Sequence, residues 1–176
     1  MLNNYYFLFD MDGTLFFTDE LNNESYNYAL KKYNLPIIES KKRITREVVK
    51  KTYSTLNVQQ ITKLIQFKQN YFIKNINKVH INEPLFDMLR KITKNNCILW
   101  TSADRKRTEA LINEFNLHRF FIKIILSKKK YISQDIKNIC SEFSCTCNQL
   151  LIFENDPSVV DKLIENNVSC FLFIRS

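Results

Sequence analysis

The sequence predicts a doubly wound α/β fold, in which helices cover both faces of a parallel sheet, and three observations predict it. Five short apolar runs punctuate the chain: Tyr5 to Phe9, Cys97 to Trp100, Lys123 to Leu126, Leu150 to Phe153 and Cys170 to Ile174. Four of them are nearly continuous rather than alternating, the pattern of strands buried on both faces. Helical segments separate them in strict succession, which is the rhythm of a layered α/β domain.

The first run ends in Asp10-Met11-Asp12-Gly13-Thr14, and Gly13 is the one glycine in 176 residues. A chain that does without glycine elsewhere keeps it where the backbone must turn in a way a side chain would forbid. The next interval breaks the rhythm, because residues 17–80 carry no strand signal. They hold three amphipathic helix candidates instead: Leu21 to Tyr33, Thr45 to Ser54 and Val58 to Ile76. The first stops before Leu35-Pro36, since the residue before proline disfavours helix. Residues 17–80 are therefore expected to form an inserted all-α cap, with residues 1–16 and 81–176 as a three-layer, Rossmann-like core of about five strands. Within the core, Pro84 to Lys94, Glu109 to Phe115, Ile132 to Phe143 and Pro157 to Asn166 repeat apolar residues at helical spacing. Ser133 is a candidate cap for the third of these. Trp100 reads as core, while Phe16, Phe17, Tyr26, Tyr28 and Tyr33 are expected to line the seam between the cap helices.

Hydrophobic residues make up 45% of the chain, enough for a real core. The formal charge of +8 comes from scattered lysines in a composition rich in Lys, Asn and Ile and poor in Gly and Pro. Drift in an AT-rich genome produces such a bias, so the charge is read as solvated surface and nucleic acid is not the expected partner. Five cysteines without a Cys-x-x-Cys pair, and with His80 and His118 far from Cys145-Thr146-Cys147, argue against zinc and for free thiols in a reducing compartment. No run has the length of a membrane span, and the amino-terminal run ends in acids, unlike a signal peptide. A cytoplasmic protein, monomer or weak dimer, is expected.

In an open parallel sheet, reactive groups gather beyond the carboxyl ends of the strands. Here those ends carry Asp10 and Asp12, then Thr101-Ser102, then Ser127-Lys128-Lys129-Lys130, then Glu154-Asn155-Asp156. Two carboxylates, a hydroxyl, an ammonium and a further acid or amide suit phosphoryl transfer with a hard divalent cation. A carboxylate such as Asp10 attacks phosphorus once a cation offsets the repulsion between two anions, and Mg²⁺ takes oxygen ligands in octahedral geometry. Asp12 is placed to protonate the leaving oxygen and then deprotonate water, a role worth about 10² to 10⁴ in rate. Thr101 and one lysine would hold the phosphoryl oxygens.

At these residues the chain resembles the haloacid dehalogenase-like hydrolase superfamily. Asp10-Met11-Asp12-Gly13-Thr14 matches its first motif and Ile98-Leu99-Trp100-Thr101-Ser102 its second. Leu151-Ile152-Phe153-Glu154-Asn155-Asp156-Pro157-Ser158 is similar to the fourth motif of the branch related to phosphoglucomutases, and the helical insertion is similar to that family's small cap. The resemblance implies a Mg²⁺-dependent phosphatase acting on a small phosphorylated metabolite through an aspartyl phosphate. Asp10 and Asp12 are then catalytic, Thr101 and Ser102 bind phosphate, and the cation is held by Asp10, the carbonyl of Asp12 and Asn155 or Asp156. Two departures stand out. Asn155 takes the place of the family's metal-binding aspartate, and the third motif lacks Lys-Pro, so the active lysine is open; Lys130 is favoured, with Lys128 and Lys129 as alternatives. Asp156-Pro157 also has the signature of a helix N-cap. Glu154 is expected one shell out from the cation, and Arg43 is a candidate contact for a substrate anion. The alternatives are a phosphatase for nucleotides or nucleic acid ends, and a degenerate member that binds a phosphorylated ligand without turnover.

Overall fold

In the computed structural model of the protein, which describes residues 4–172, the apolar runs pair as one parallel sheet. The strands are β1 (Tyr6–Phe9), β2 (Phe16–Phe17), β3 (His80–Ile81), β4 (Cys97–Thr101), β5 (Lys123–Leu126), β6 (Leu150–Glu154) and β7 (Ser169–Leu172). Five of them form the main sheet in the order β5-β4-β1-β6-β7, and every pairing in it is parallel. The helices are α1 (Asp19–Lys31), α2 (Arg46–Thr52), α3 (Val58–Lys74), α4 (Glu83–Lys91), α5 (Arg105–Glu114), α6 (Ile132–Glu142) and α7 (Pro157–Glu165). Residues 173 and 174 of the last expected strand lie outside the described residues.

Local chemistry explains where the elements differ from their expected bounds. Helix α5 starts a turn earlier than its apolar spacing suggests, because Asp104 caps it by accepting a hydrogen bond from the Lys106 amide at 3.0 Å. Helix α6 starts at Ile132, so Ser133 lies inside the helix instead of capping it. The pair β2 and β3, two residues each, was too short to show a periodic pattern and forms a separate two-stranded sheet. Scarcity of glycine leaves its mark past the helix ends: Asn34, Asn116, Ser144 and Asn167 take φ between 49° and 56° there, a conformation glycine usually supplies.

The chain divides into two compact units, one made of the segments up to Phe17 and from Ile81 onward, the other of Thr18–His80. In the first, Leu8, Ile98, Trp100 and Ile152 from adjacent strands pack with Ile132, Ile136, Ile139, Val159 and Leu163 of α6 and α7. Phe16 belongs to this unit too, against Phe86 and Phe115 at centroid distances of 5.5 and 4.8 Å, instead of the expected cap seam. The second unit has its own core of Tyr26, Ala29, Leu30, Ile44, Val49, Ile61, Leu64 and Ile65. Tyr28 stacks on Tyr71 and Tyr33 meets Phe67 edge-on within it. Thr45 caps α2, and Asn57 and Gln60 form a reciprocal capping box on α3.

The turn after β1 is tied from several directions. Gly13 N–H donates to the Phe16 carbonyl at 2.7 Å, Phe16 N–H to the Met11 carbonyl at 2.9 Å, and the Asn82 side chain to the Thr14 carbonyl at 2.9 Å. Gly13 has φ of 84°, and a Cβ there would fall 2.3 Å from the nearest atom of the Asn155 amide and 2.7 Å from its Cγ. Both backbone and space therefore demand glycine. Gly13→Ala is expected to destabilise the protein by about 2–4 kcal/mol, from left-handed strain plus overpacking; chemical denaturation with an unchanged midpoint would refute this.

Candidate active site

Register alone brings the central residues together. Phe9 pairs with Leu99 on β4 and with Phe153 on β6, so Asp10, Trp100 and Glu154 sit at one level on neighbouring parallel strands. Side chains at one level share a face of the sheet. Asp10 and Glu154 thus stand side by side, 5% and 2% exposed. Like charges so placed repel, and Lys129 resolves the conflict: its Nζ donates to Asp10 Oδ1 and to Glu154 Oε2, each at 2.6 Å. The ammonium also lies 4.5 Å from the centre of the Trp100 ring, so the core tryptophan doubles as the floor of the site.

The choice of lysine is made by the backbone after β5. Lys129 adopts φ of 51°, its N–H donates to Ser127 Oγ at 3.0 Å, and that hydroxyl donates in turn to Asp135 on α6. This kink sends Lys129 inward. Lys130 is exposed, and Lys128 is exposed with its Nζ 3.4 Å from the Ser102 carbonyl. The structure therefore brings Lys129, not the favoured Lys130 or its neighbour Lys128, to Asp10. Glu154 also stands closer to the centre than expected, in direct contact with the lysine that holds Asp10.

Thr101 ends β4 fully buried, and its Oγ1 accepts from the Ala103 amide at 3.1 Å, which leaves the hydroxyl proton to point elsewhere. Ser102 is exposed. Because Asp104 caps α5, Thr101 is not needed for that task. Asp12 meets Arg107 of α5, whose Nη2 donates to Asp12 Oδ2. Nothing in the spacing of the sequence announces this pair, which joins positions 95 apart. Arg43 lies in the other unit, where its Nη1 donates to Asp19 Oδ1 at 2.5 Å and to Thr18 Oγ1 at 3.0 Å.

At the end of β6 the three polar residues Glu154, Asn155 and Asp156 separate into distinct roles. Glu154 Oε1 accepts from the amides of Asn155 and Asp156 at 2.8 and 3.0 Å. Asp156 Oδ1 accepts from the Ser158 amide and hydroxyl at 2.9 and 2.7 Å, so its carboxylate caps α7 and Asn155 is the member of the pair that meets Asp12. One terminal atom of the Asn155 amide lies 2.9 Å from the Asp12 carbonyl oxygen and 3.2 Å from Glu154 Oε1. Filled by nitrogen, that position donates two hydrogen bonds. Filled by oxygen, it sets an amide oxygen beside the Asp12 carbonyl oxygen, and oxygens are the donors that Mg²⁺ takes. The oxygens thus suit a small hard cation in kind, with an amide where a carboxylate would bind more strongly. Among the described residues no group of three His, Cys, Asp or Glu side chains is arranged to hold a metal.

Charge and burial set the proton affinity of the centre. Burial pushes Asp10 up to about 7, with Lys129 opposing the rise while Glu154 and Asp12 add to it. Burial presses the Lys129 ammonium the other way, but Asp10 and Glu154 outweigh it and hold that group above its ordinary value. Unfolded, Asp10 would titrate near 3.8. Between about pH 4 and 7 the metal-free folded protein keeps a proton that the unfolded chain has released, so raising the pH through this window costs stability. Relative to Asp10→Asn, the wild type is expected to lose up to about 1.4 kcal/mol per pH unit there, the value for one proton. Unfolding curves of the two proteins that stay parallel from pH 4 to 7 would contradict it.

With the geometry in place, comparison with known proteins is direct. The family described as haloacid dehalogenase-like hydrolase matches residues 7–159. No curated protein matches the chain. Among solved structures, a predicted phosphoglycolate phosphatase from Haemophilus somnus superposes with a TM-score of 0.82 at 15% identity, covering 97% of this chain and 85% of that one. A HAD hydrolase of family IA, variant 3, from Entamoeba histolytica gives 0.74 at 16% identity, covering 94% and 82%. A predicted phosphatase from Clostridium acetobutylicum gives 0.69 at 17% identity, covering 94% and 82%. At these identities the structures speak for the fold, and the family match spans most of the chain. The protein belongs to the haloacid dehalogenase-like hydrolases.

Proposed function

We propose that the protein is a phosphoric monoester hydrolase that transfers the phosphoryl group of a small ester to Asp10 and then to water, with Mg²⁺ as cofactor. The observation that carries this reading is the buried Asp10–Lys129–Glu154 cluster at the carboxyl ends of the strands, with Asp12 two residues beyond. Lys129 fixes one oxygen of Asp10, and the other attacks phosphorus. Asp12 protonates the leaving oxygen and then takes a proton from the water that opens the aspartyl phosphate. Thr101 and Lys129 donate hydrogen bonds to the phosphoryl oxygens as charge shifts among them. Asp10, the Asp12 carbonyl and Asn155 would hold Mg²⁺, which when bound offsets the repulsion between the nucleophile and the phosphate. That offset matters here, because three carboxylates (Asp10, Asp12, Glu154) face two cations, Lys129 and Arg107. The segment Thr18–His80 is proposed as the substrate-selecting cap, and a small phosphate ester as the substrate; the phosphatase names of similar structures support that class.

One observation favours a second reading. The Asn155 amide can close the cation position by donating to the Asp12 carbonyl, which suits a member that binds a phosphorylated ligand without turnover.

Three variants test the chemistry with a generic aryl phosphate. Asp10→Asn should lose at least about 10³-fold in turnover. Lys129→Met should lose about 10²- to 10³-fold, as for other donors to a developing oxyanion, while Lys130→Met stays within about twofold. Retained turnover in Asp10→Asn would sink the mechanism, and a larger loss at Lys130 than at Lys129 would sink the assignment of the lysine.

Calorimetric titration with Mg²⁺ addresses the cofactor. Asn155→Asp adds a charged ligand and is expected to tighten binding about tenfold or more, while lowering thermal stability in chelator. Absence of Mg²⁺ binding in the millimolar range by the wild type, with binding regained in Asn155→Asp, would decide for the second reading.

A further inference from the structure

Three of the five cysteines meet where α6 ends, and the hydrolytic scheme uses none of them. Helix α6 closes in a Schellman turn: Ser144 takes φ of 50°, its amide donates to the Ser141 carbonyl at 3.4 Å, and the Cys145 amide donates to the Cys140 carbonyl at 2.9 Å. That motif sets the residue after the left-handed one against a residue in the last turn of the helix, and the thiols of Cys145 and Cys140 hydrogen-bond there. The chain then enters a 3₁₀ turn over Cys147–Gln149, held by the Thr146 amide donating to Gln149 Oε1 at 2.9 Å, and this returns Cys147 to the same place. The Sγ atoms of Cys140 and Cys147 lie 3.9 Å apart. All three thiols are free and half-buried, whereas Cys97 and Cys170 donate to the carbonyls of Thr93 and Val160. A disulfide bond needs about 2.05 Å between sulfurs, so rotation of the two side chains has under roughly 2 Å to close. Cys140 lies in the last turn of α6 and Cys147 just before β6. Asp135, in the first turn of α6, and Glu154, at the far end of β6, are the residues that secure Lys129. Closure of the thiol pair thus ties these two elements at their other ends, outside the candidate active site.

We propose that Cys140 and Cys147 are a redox-modification site, oxidised by a hydroperoxide to an intramolecular disulfide that staples α6 to β6 and is reopened by thiols. Burial, followed by hydrogen bonding to Cys147, pushes the Cys140 thiol up to about 12, so Cys140 keeps its proton and Cys147 attacks first. The Cys147 sulfur gives up its proton and takes one peroxide oxygen; the O–O bond breaks, a sulfenic acid forms, and the proton leaves with the released water or alcohol. The Cys140 sulfur then displaces the hydroxyl, the S–S bond forms, and the hydroxyl leaves as water with the Cys140 proton. Two electrons pass from the sulfur pair to the peroxide. The inference is independent of the phosphohydrolase reading.

The test exposes the reduced protein, freed of reductant, to hydrogen peroxide and then unfolds and alkylates it. Free thiols should fall from five to three, and the peptide between Lys137 and Lys162, which holds Cys140, Cys145 and Cys147, should carry one alkyl group, on Cys145. The thermal midpoint of the oxidised protein is expected to rise by about 5–10 °C, and dithiothreitol should restore both values. Cys147→Ser should leave Cys140 and Cys145 open to alkylation, Cys140→Ser serves if that variant fails to fold, and Cys145→Ser should still close. Five thiols after peroxide, oxidation of one cysteine to the sulfinic acid with no bridge, a bridge that includes Cys145, or a bridge without a rise in the midpoint overturns the proposal.

Discussion

The bond from Lys129 to two carboxylates at once is the contact on which the centre of the molecule depends. Parallel pairing of β1 and β6 places Asp10 beside Glu154 in the interior, and a sheet with that register would oppose two buried anions if nothing stood between them. Removing one partner from a buried ionic cluster costs about 3–5 kcal/mol, because the charge left behind has no water to receive it. Trp100, fully buried against the ammonium, can pack beside a charged centre only because that centre is internally satisfied. Stability and the proposed chemistry therefore share one ammonium group.

Glu154 extends the same contact into the backbone. One of its oxygens meets Lys129, and the other receives the amides of Asn155 and Asp156, where β6 gives way to α7. The turn so formed sets Asn155 against Gly13 and leaves Asp156 to cap the helix. A substitution at Glu154 would thus disturb the lysine, the amide beside Asp12 and the start of α7 together. The site is a set of strand ends whose turns are hydrogen-bonded to one another, which is why its residues come from four separate stretches of sequence.

How much of this the sequence discloses differs from residue to residue. The strands are legible because burial on both faces leaves uninterrupted apolar runs, and the helices because apolar residues recur at a period their length can display. Asp10 and Asp12 are conspicuous because the lone glycine follows them. The identity of the lysine is not legible: residues 128, 129 and 130 are the same chemical group, and only a left-handed φ at the middle one, secured by Ser127 and Asp135, turns it inward. Arg107 is hidden for another reason. In sequence it is one of three basic residues at a helix start, and its ion pair with Asp12 reaches a carboxylate on a different strand end, so that pairing follows from the sheet order.

That order also has a consequence for how the chain is made. Strand β1, made before the other four strands of its sheet, becomes the middle of it, and its Phe9 finds its neighbours in Leu99 and Phe153, 90 and 144 residues further on. At ribosomal rates of about 5–20 residues per second, the second neighbour follows the first strand by roughly 7–30 s. The segment Thr18–His80 can bury its own helices in that interval, but the apolar strand beside it must wait as an unpaired edge. The Asp10–Lys129–Glu154 cluster therefore exists only once β6 has been made, and a nascent chain halted before β6 would present an adhesive strand in place of the candidate site.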